Sequence, residues 1–285
     1  MLDVTTCWSP HNSRAIGYIA TEPEKQLIIV AYRGTEPGSI KNYISDFVIY
    51  HDTWKPAPGT LVHHGFLNAW EQIQPQVTDD LLKLIQEKPD FRIGFMGHSL
   101  GGALATFSAL DLINKAPELA KNEKLFLSTF GQPRMGDEKF AEFVDENLRA
   151  IRTVVHGDPI PRLPPPWPIP FIGSYKHFGK ELYINNPDAF QECVAEDPNC
   201  SESVPFGQLD LKYHSGPYYG VNMRDATREL NGVNGTKGIN ATKEVNSTKE
   251  VNGAKEVNGT KGVNGTKEVK GTKGVNGVDR AKGYR

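Results

Sequence analysis

Cysteine is scarce in this chain, three in 285 residues, and Cys7, Cys193 and Cys200 suggest no zinc framework. The excess of basic residues that marks a nucleic-acid-binding protein is also missing, with 32 Lys plus Arg against 34 Asp plus Glu. No apolar run approaches the roughly 18 residues a membrane span needs; the longest clear one, Leu27–Tyr32, is strand-sized. The opening MLDVTTCWSP has neither the basic start nor the apolar centre of a signal peptide, so the chain as written is expected in the cytosol. What remains, 38% hydrophobic residues, is the composition of a soluble globular protein.

Aromatic residues disappear from residue 231 until Tyr284, and no periodic apolar face replaces them. The segment repeats every six residues as Val or Ile, Asn, a small residue, Thr and Lys. Its nine Lys and two Arg against four Glu and one Asp give a net +6, leaving residues 1–230 acidic at −8. A six-residue unit is too short for a solenoid layer and too polar for a core, so residues 231–285 are expected to be a disordered tail and residues 1–230 a single domain. Sequons begin at Asn234, Asn240, Asn246, Asn258 and Asn264, which leaves two readings open: a glycosylated stalk, or expansion of a short repeat into a tolerant terminus.

Strand and helix patterns alternate through the first 230 residues. Gln26–Arg33 is a near-continuous Ile- and Val-rich run, as in a strand buried on both faces. Helical spacing relates Ile73, Val77, Leu81, Leu84 and Ile85, with Pro75 marking the start of the regular helix. A strand at 91–96, a helix at 99–114, a strand at 124–130, a helix at 135–148 and a strand at 151–156 follow. This order predicts an α/β fold with a mostly parallel sheet covered by helices on both faces.

The chemistry is concentrated where the strand at 91–96 meets the next helix, at Gly97-His98-Ser99-Leu100-Gly101. A G-x-S-x-G pattern is weak by itself, but strand before and helix after are what a nucleophile elbow requires. The serine occupies a strained turn, the glycines permit close backbone approach, and the helix N-terminus offers partial positive charge and the Leu100 N–H to an oxyanion. His98 reads as a spacer beside the serine. A base and an orienting acid should lie downstream in the order Ser, Asp, His. Asp158 follows the strand RTVVH at the sheet edge where open α/β folds gather functional groups. Asp137 and Asp145, in a predicted helix, read as solvated. Position alone leaves His156, His177 and His214 open as the base, while His63 and His64 read as packing or backbone-bonding residues.

The segments VAYRGTEP (30–37), SIKNYISDF (39–47), VHHGF (62–66), GHSLGGALA (97–105), FGQPRMGD (130–137), HGDPIPRLPP (156–165) and VPFGQLDLKYHSGPYYG (204–220) resemble, in order, the class 3 lipases, the filamentous-fungal triacylglycerol lipase and feruloyl esterase family. The resemblance implies an α/β-hydrolase in which Ser99, Asp158 and His214 are nucleophile, acid and base. It also implies an oxyanion hole formed by Thr35 and Leu100, and no metal or organic cofactor. Ile40, Tyr43, Ile44 and Phe47 fall on one helical stripe, readable as a core-facing surface helix or, by resemblance, as a mobile lid whose Asp46 bonds around Thr35. The stiff stretch after Asp158 places Trp167, Ile169 and Phe171 as walls of an acyl groove, with a partner-docking surface as the competing reading.

Cys193 and Cys200 enclose a turn-forming Asp-Pro-Asn; free thiols suit a reducing compartment, whereas the resemblance implies a disulfide. Family members also carry an export signal and an N-terminal helical segment, so secretion is expected if this N-terminus is truncated. The implied substrate is an acylglycerol, met in solution or at a lipid–water interface. A soluble-ester esterase, a phospholipase A1 and an inactive lipase-like interaction protein are the alternatives. Oligomeric state is unspecified.

Overall fold

A computed structural model describes residues 1–8, 15–35, 40, 50–121, 123–170, 172–186 and 189–223. They belong to the unit Met1–Thr236; the repeat segment 231–285 lies outside the described residues.

Ten strands are described. β1 (Asp3–Trp8), β2 (Gly17–Glu22), β3 (Leu27–Tyr32), β6 (Arg92–His98), β7 (Leu125–Phe130), β8 (Ala150–Val155), β9 (Lys180–Asn186) and β10 (Ala189–Cys193) form one sheet, while β4 (His51–Thr53) and β5 (Leu61–His63) form a separate pair. The order in the large sheet is β1-β2-β3-β6-β7-β8-β9-β10. From β3 to β9 every pairing is parallel, and the edges β1-β2-β3 and β9-β10 are antiparallel. The expected mostly parallel sheet is therefore present. Its antiparallel margins escape a search for continuous apolar runs because their sequences mix polar with apolar residues; β10 is exposed until Cys193. The strand at 26–33 is not the first of the sheet, since β1 and β2 precede it.

Five α-helices are described among these strands: α1 (His64–Glu71), α2 (Gln74–Glu87), α3 (Leu100–Lys115), α4 (Glu118–Lys121) and α5 (Glu138–Asn147). The pattern around Pro75 conceals two helices, because α1 begins earlier, with His63 Nδ1 accepting from the N-cap-satisfied Phe66 N–H at 3.3 Å. α3 is buried on nearly every face from Leu100 to Ile113, the mark of a helix within the core. Trp54 joins this core through tilted and edge contacts with Phe107, Phe140 and Phe143. Asp137 is not a solvated helix residue: its carboxylate accepts from Phe140 N and Leu61 N, capping α5 and tying it to β5. Asp145 is exposed, as expected, and its carboxylate also accepts from Gly179 N.

One buried cation ties the β8–β9 connection to the loop beyond β10. Arg134 has no exposed side-chain surface; it donates to both oxygens of Glu196 at 2.9 Å, to Glu202 at 2.6 Å and to the Pro164 carbonyl at 2.9 Å. Arg162 reaches the other Glu202 oxygen at 2.9 Å. A disulfide joins Cys193 to Cys200 in the same loop, closing the pair the sequence left open.

Candidate active site

Parallel register brings several strand ends to one rim. Tyr32 pairs with Gly97, His98 with Phe130, and Phe130 with Thr153. The residues that follow these strands are Gly34 and Thr35 after β3, Ser99 after β6, Gly131 after β7 and Asp158 after β8, so one edge of the sheet collects them.

Ser99 joins β6 to α3 at φ 57° and ψ −127°, a conformation that a non-glycine residue adopts only when its surroundings enforce it. Here they do. Its N–H donates to the Phe130 carbonyl at 2.9 Å and its own carbonyl accepts from Gly102 at 3.0 Å. A Cβ on Gly97 would lie 2.0 Å from the Gly101 carbonyl oxygen, and one on Gly101 would lie 2.3 Å from that of Tyr32. Both glycines are thus fixed by backbone-on-backbone packing. Leu100 opens α3, where first-turn N–H groups have no partner within the helix. Across from it, a Cβ on Gly34 would come within 3.0 Å of the Ser99 Cβ, so the strand-end loop carrying Thr35 passes directly against the serine. Thr35 Oγ1 is buried and has no hydrogen-bond partner among the described residues.

Asp158 is held by a turn at the end of β8: its N–H donates to Val155 O at 3.1 Å, and its Oδ1 accepts from Ile160 N at 2.9 Å. His214 lies in the 3-10 segment Leu211–Ser215, which Asp210 caps by accepting from Lys212 N. The Asp210 N–H donates to Gly157 O at 3.0 Å, docking this segment on the Asp158 turn. His214 Nδ1 lies 2.9 Å from Asp158 Oδ2 and 3.1 Å from Oδ1, with both side chains wholly out of water. A carboxylate only accepts, so the neutral imidazole carries its proton on Nδ1 and leaves a lone pair on Nε2. That Nε2 is buried and has no hydrogen-bond partner among the described residues.

His156, His177 and the upstream pair His63 and His64 are committed elsewhere. His156 Nδ1 meets the Tyr183 hydroxyl at 2.6 Å, and His177 Nε2 donates to Pro161 O at 2.8 Å. Burial, with the charges of Arg152 and Arg134, pushes His177 well below the ordinary imidazole pKa. His63 stacks on Phe66 at 4.0 Å and is pushed down to about 3, mainly by burial. His64 is exposed and pairs with Asp52 at 3.2 Å.

Of the stripe at 40–47 only Ile40 is described, and it is buried; Tyr43, Ile44, Asp46 and Phe47 lie outside the described residues. Trp167 is 56% exposed and Ile169 half-buried, bonded through its backbone to Gly173; Phe171 lies outside the described residues. Cys193, Asp197 and Cys200 place donor atoms within 4.8 Å of one another, but both sulfurs belong to the disulfide. No described helix is long and apolar enough to cross a membrane.

A family model for lipase (class 3) matches residues 29–167. A lipase of Rhizomucor miehei is 34% identical over 227 residues, 78% of this chain and 60% of its own length. The solved structure of Rhizomucor miehei triacylglyceride lipase superposes with a TM-score of 0.70 at 32% identity, covering 78% of this chain and 82% of that one. The chain belongs to the class 3 lipase family. Secreted mono- and diacylglycerol lipase 1 of Fusarium solani is 35% identical over 59% of this chain and 47% of its own. This class 3 lipase chain thus spans 47–60% of the length of those two curated relatives.

Two neighbours of the class 3 lipase site escape the sequence reading. Gly131 has φ +57°, and a Cβ there would lie 2.6 Å from the Tyr218 hydroxyl, 2.8 Å from Asp158 Oδ2 and 2.9 Å from His214 Cε1. Its signal was a glycine directly after the strand at 124–130. Tyr218 is buried, with its hydroxyl 3.4 Å from Asp158 Oδ2 and 3.3 Å from the His214 carbonyl. Burial and the Asp158 charge hold that phenol well above its usual pKa, so it remains a donor. Nothing in its local sequence announces it.

Proposed function

We propose that this protein is a serine carboxylic ester hydrolase acting on acylglycerols, with Ser99 as nucleophile, His214 as base and Asp158 as its orienting acid. The observation that carries this reading is the buried His214–Asp158 pair, whose imidazole keeps a free Nε2 lone pair, on the same sheet rim as a serine in a strained strand–helix turn. In acylation, Ser99 Oγ attacks the ester carbonyl carbon while its proton passes to His214 Nε2; the resulting imidazolium is stabilised by Asp158 through Nδ1–H. The carbonyl π electrons move to oxygen, where the Leu100 N–H and the Thr35 backbone N–H and hydroxyl receive the negative charge. Collapse expels the alcohol, protonated by His214. Water then adds by the same route, and the acid leaves with Ser99 regenerated.

The names of the relatives, lipase and mono- and diacylglycerol lipase, support acylglycerol as substrate. The hydrolase is assigned to residues 1–230, with 231–285 dispensable for activity. Secretion is supported by the Fusarium solani relative and by the Cys193–Cys200 disulfide, which suits an oxidising compartment. Two measurements test the proposal together. A serine-directed phosphonate is expected to add one adduct, mapped by mass spectrometry to Ser99, and hydrolysis is expected across glycerol esters of several chain lengths. A labelled site other than Ser99 would reject the nucleophile, and turnover of soluble aryl esters with none of acylglycerols would reject the substrate class.

A further inference from the structure

We propose that His98 is a positioning residue for His214, so that one dipeptide, His98-Ser99, sets both the nucleophile and the base. The proposal rests on the roles assigned above to Ser99, Asp158 and His214. His98 Nε2 lies 2.7 Å from the backbone carbonyl oxygen of His214, across 116 residues of chain. A carbonyl only accepts, so His98 donates from Nε2. The two imidazoles lie face near face, 4.5 Å between centroids at 35°, and the Tyr218 ring meets His98 edge-on at 5.8 Å. On the other side stands Gly34, where an added Cβ would lie 3.1 Å from His98 Nδ1 and 2.7 Å from the His98 carbonyl oxygen. The imidazole of His98 is therefore wedged between the loop that carries Thr35 and the segment that carries His214.

This bond matters because the 3-10 segment around His214 has no sheet to hold it. Its carbonyl is fixed by His98 and, at 3.3 Å, by the Tyr218 hydroxyl, while its ring is fixed by Asp158. The carbonyl contact anchors the backbone from which the His214 side chain swings. Since His98 is covalently joined to Ser99, a displacement of the β6–α3 turn carries the base with the nucleophile, and the distance between Oγ and Nε2 is preserved. Transfer of a proton across that gap tolerates little misplacement; errors of about 1 Å cost up to about 10²-fold. Burial adds a second property. It pushes His98 down to about 4, with the nearby His214 contributing, so the neighbour of the base stays neutral while the base itself becomes cationic.

The test uses the full chain with His98→Phe, which keeps a ring but has no N–H, and His98→Gln, which restores a donor. On a soluble short-chain ester, His98→Phe is expected to lower kcat by about 10- to 100-fold with KM within about twofold of wild type, and His98→Gln to recover most of the loss. In the unliganded proteins, the low-field proton resonance of His214 Nδ1–H is expected to broaden or shift in His98→Phe and to return in His98→Gln. If the phenylalanine variant does not fold, His98→Met, also without a donor but with an adaptable side chain, carries the same expectation. A donor-free variant with wild-type kcat and an unaltered resonance overturns the proposal. Failure of the hydrolase reading is distinct: wild type would then neither turn over ester nor react with the phosphonate, and the resonance comparison would still decide whether His98 orders His214.

Discussion

Ser99 stands at the junction of a seven-residue parallel strand and a sixteen-residue helix, whereas His214 rides in a five-residue 3-10 segment with no strand on either side. The first is placed by main chain against main chain: Gly97 against Gly101, Gly101 against Tyr32, and the Ser99 N–H on Phe130. The second is placed largely by side chains: distant Asp158 on its ring, distant His98 and the nearby Tyr218 on its carbonyl, with the Asp210 N–H on Gly157 O holding the start of its segment. Regular structure supplies the serine with a fixed address. The histidine has to be tied in by individual hydrogen bonds, each side-chain bond removable by one substitution.

The two sides are expected to respond differently to mutation. The largest effect is on chemistry alone: Ser99→Ala is expected to lower kcat by about 10⁶ with an unchanged melting temperature, measured on purified protein. Activity surviving that change would remove Ser99 from the reaction. Gly101→Ala attacks the same turn through its backbone. With an added carbon 2.3 Å from the Tyr32 carbonyl oxygen, it is expected to cost about 3 kcal/mol or more in denaturant titration. Near-native stability would show that the turn relaxes and is not fixed by packing.

Acid separates the regions more gently. His98 and His63 titrate at about 4 and about 3 in the folded chain, below their ordinary 6.5, so the unfolded chain takes up protons first. Their contribution is complete above about pH 6.5 and falls as the pH drops toward 4 and then 3. Burial pushes Glu196 up, but the Arg134 hydrogen bond and charge, with His177, bring it down to about 2; its contribution is present above about 4.5 and lost toward 2. The melting temperature is expected to be level above pH 6.5 in these terms and to decline below it. Stability that rose between pH 6.5 and 4 would contradict the burial of these imidazoles. The smallest effect belongs to the repeat segment: deletion after residue 230 is expected to leave kcat/KM on a soluble ester within about twofold, and a large loss would join that segment to the hydrolase.

The same contrast explains what could be read in advance. Gly97-His98-Ser99-Leu100-Gly101 was legible because its structural cause is local: a buried strand, a strained turn and a helix follow one another without a break from Arg92 to Lys115. Asp158 was legible for a similar reason, at the end of the apolar strand Ala150–Val155. His214 could not be separated from His156 and His177 by position, since what distinguishes them is the partner each finds in space: Asp158, the Tyr183 hydroxyl and the Pro161 carbonyl. His98 passed for a spacer because its acceptor lies 116 residues away. The antiparallel margins β1, β2, β9 and β10 were missed because their sequences mix polar with apolar residues and give no continuous apolar run, even in β2, which is mostly buried.

Arg134 carries a practical consequence for anyone recombining this scaffold. A guanidinium keeps its proton, and this side chain has no exposed surface, so removing both Glu196 and Glu202 strands a positive charge in the interior, and removing either one takes away half of its neutralisation. The disulfide loop is therefore not a free module: grafts or chimaeras that replace residues 193–202 have to carry a compatible residue at 134, or exchange all three positions as one cassette.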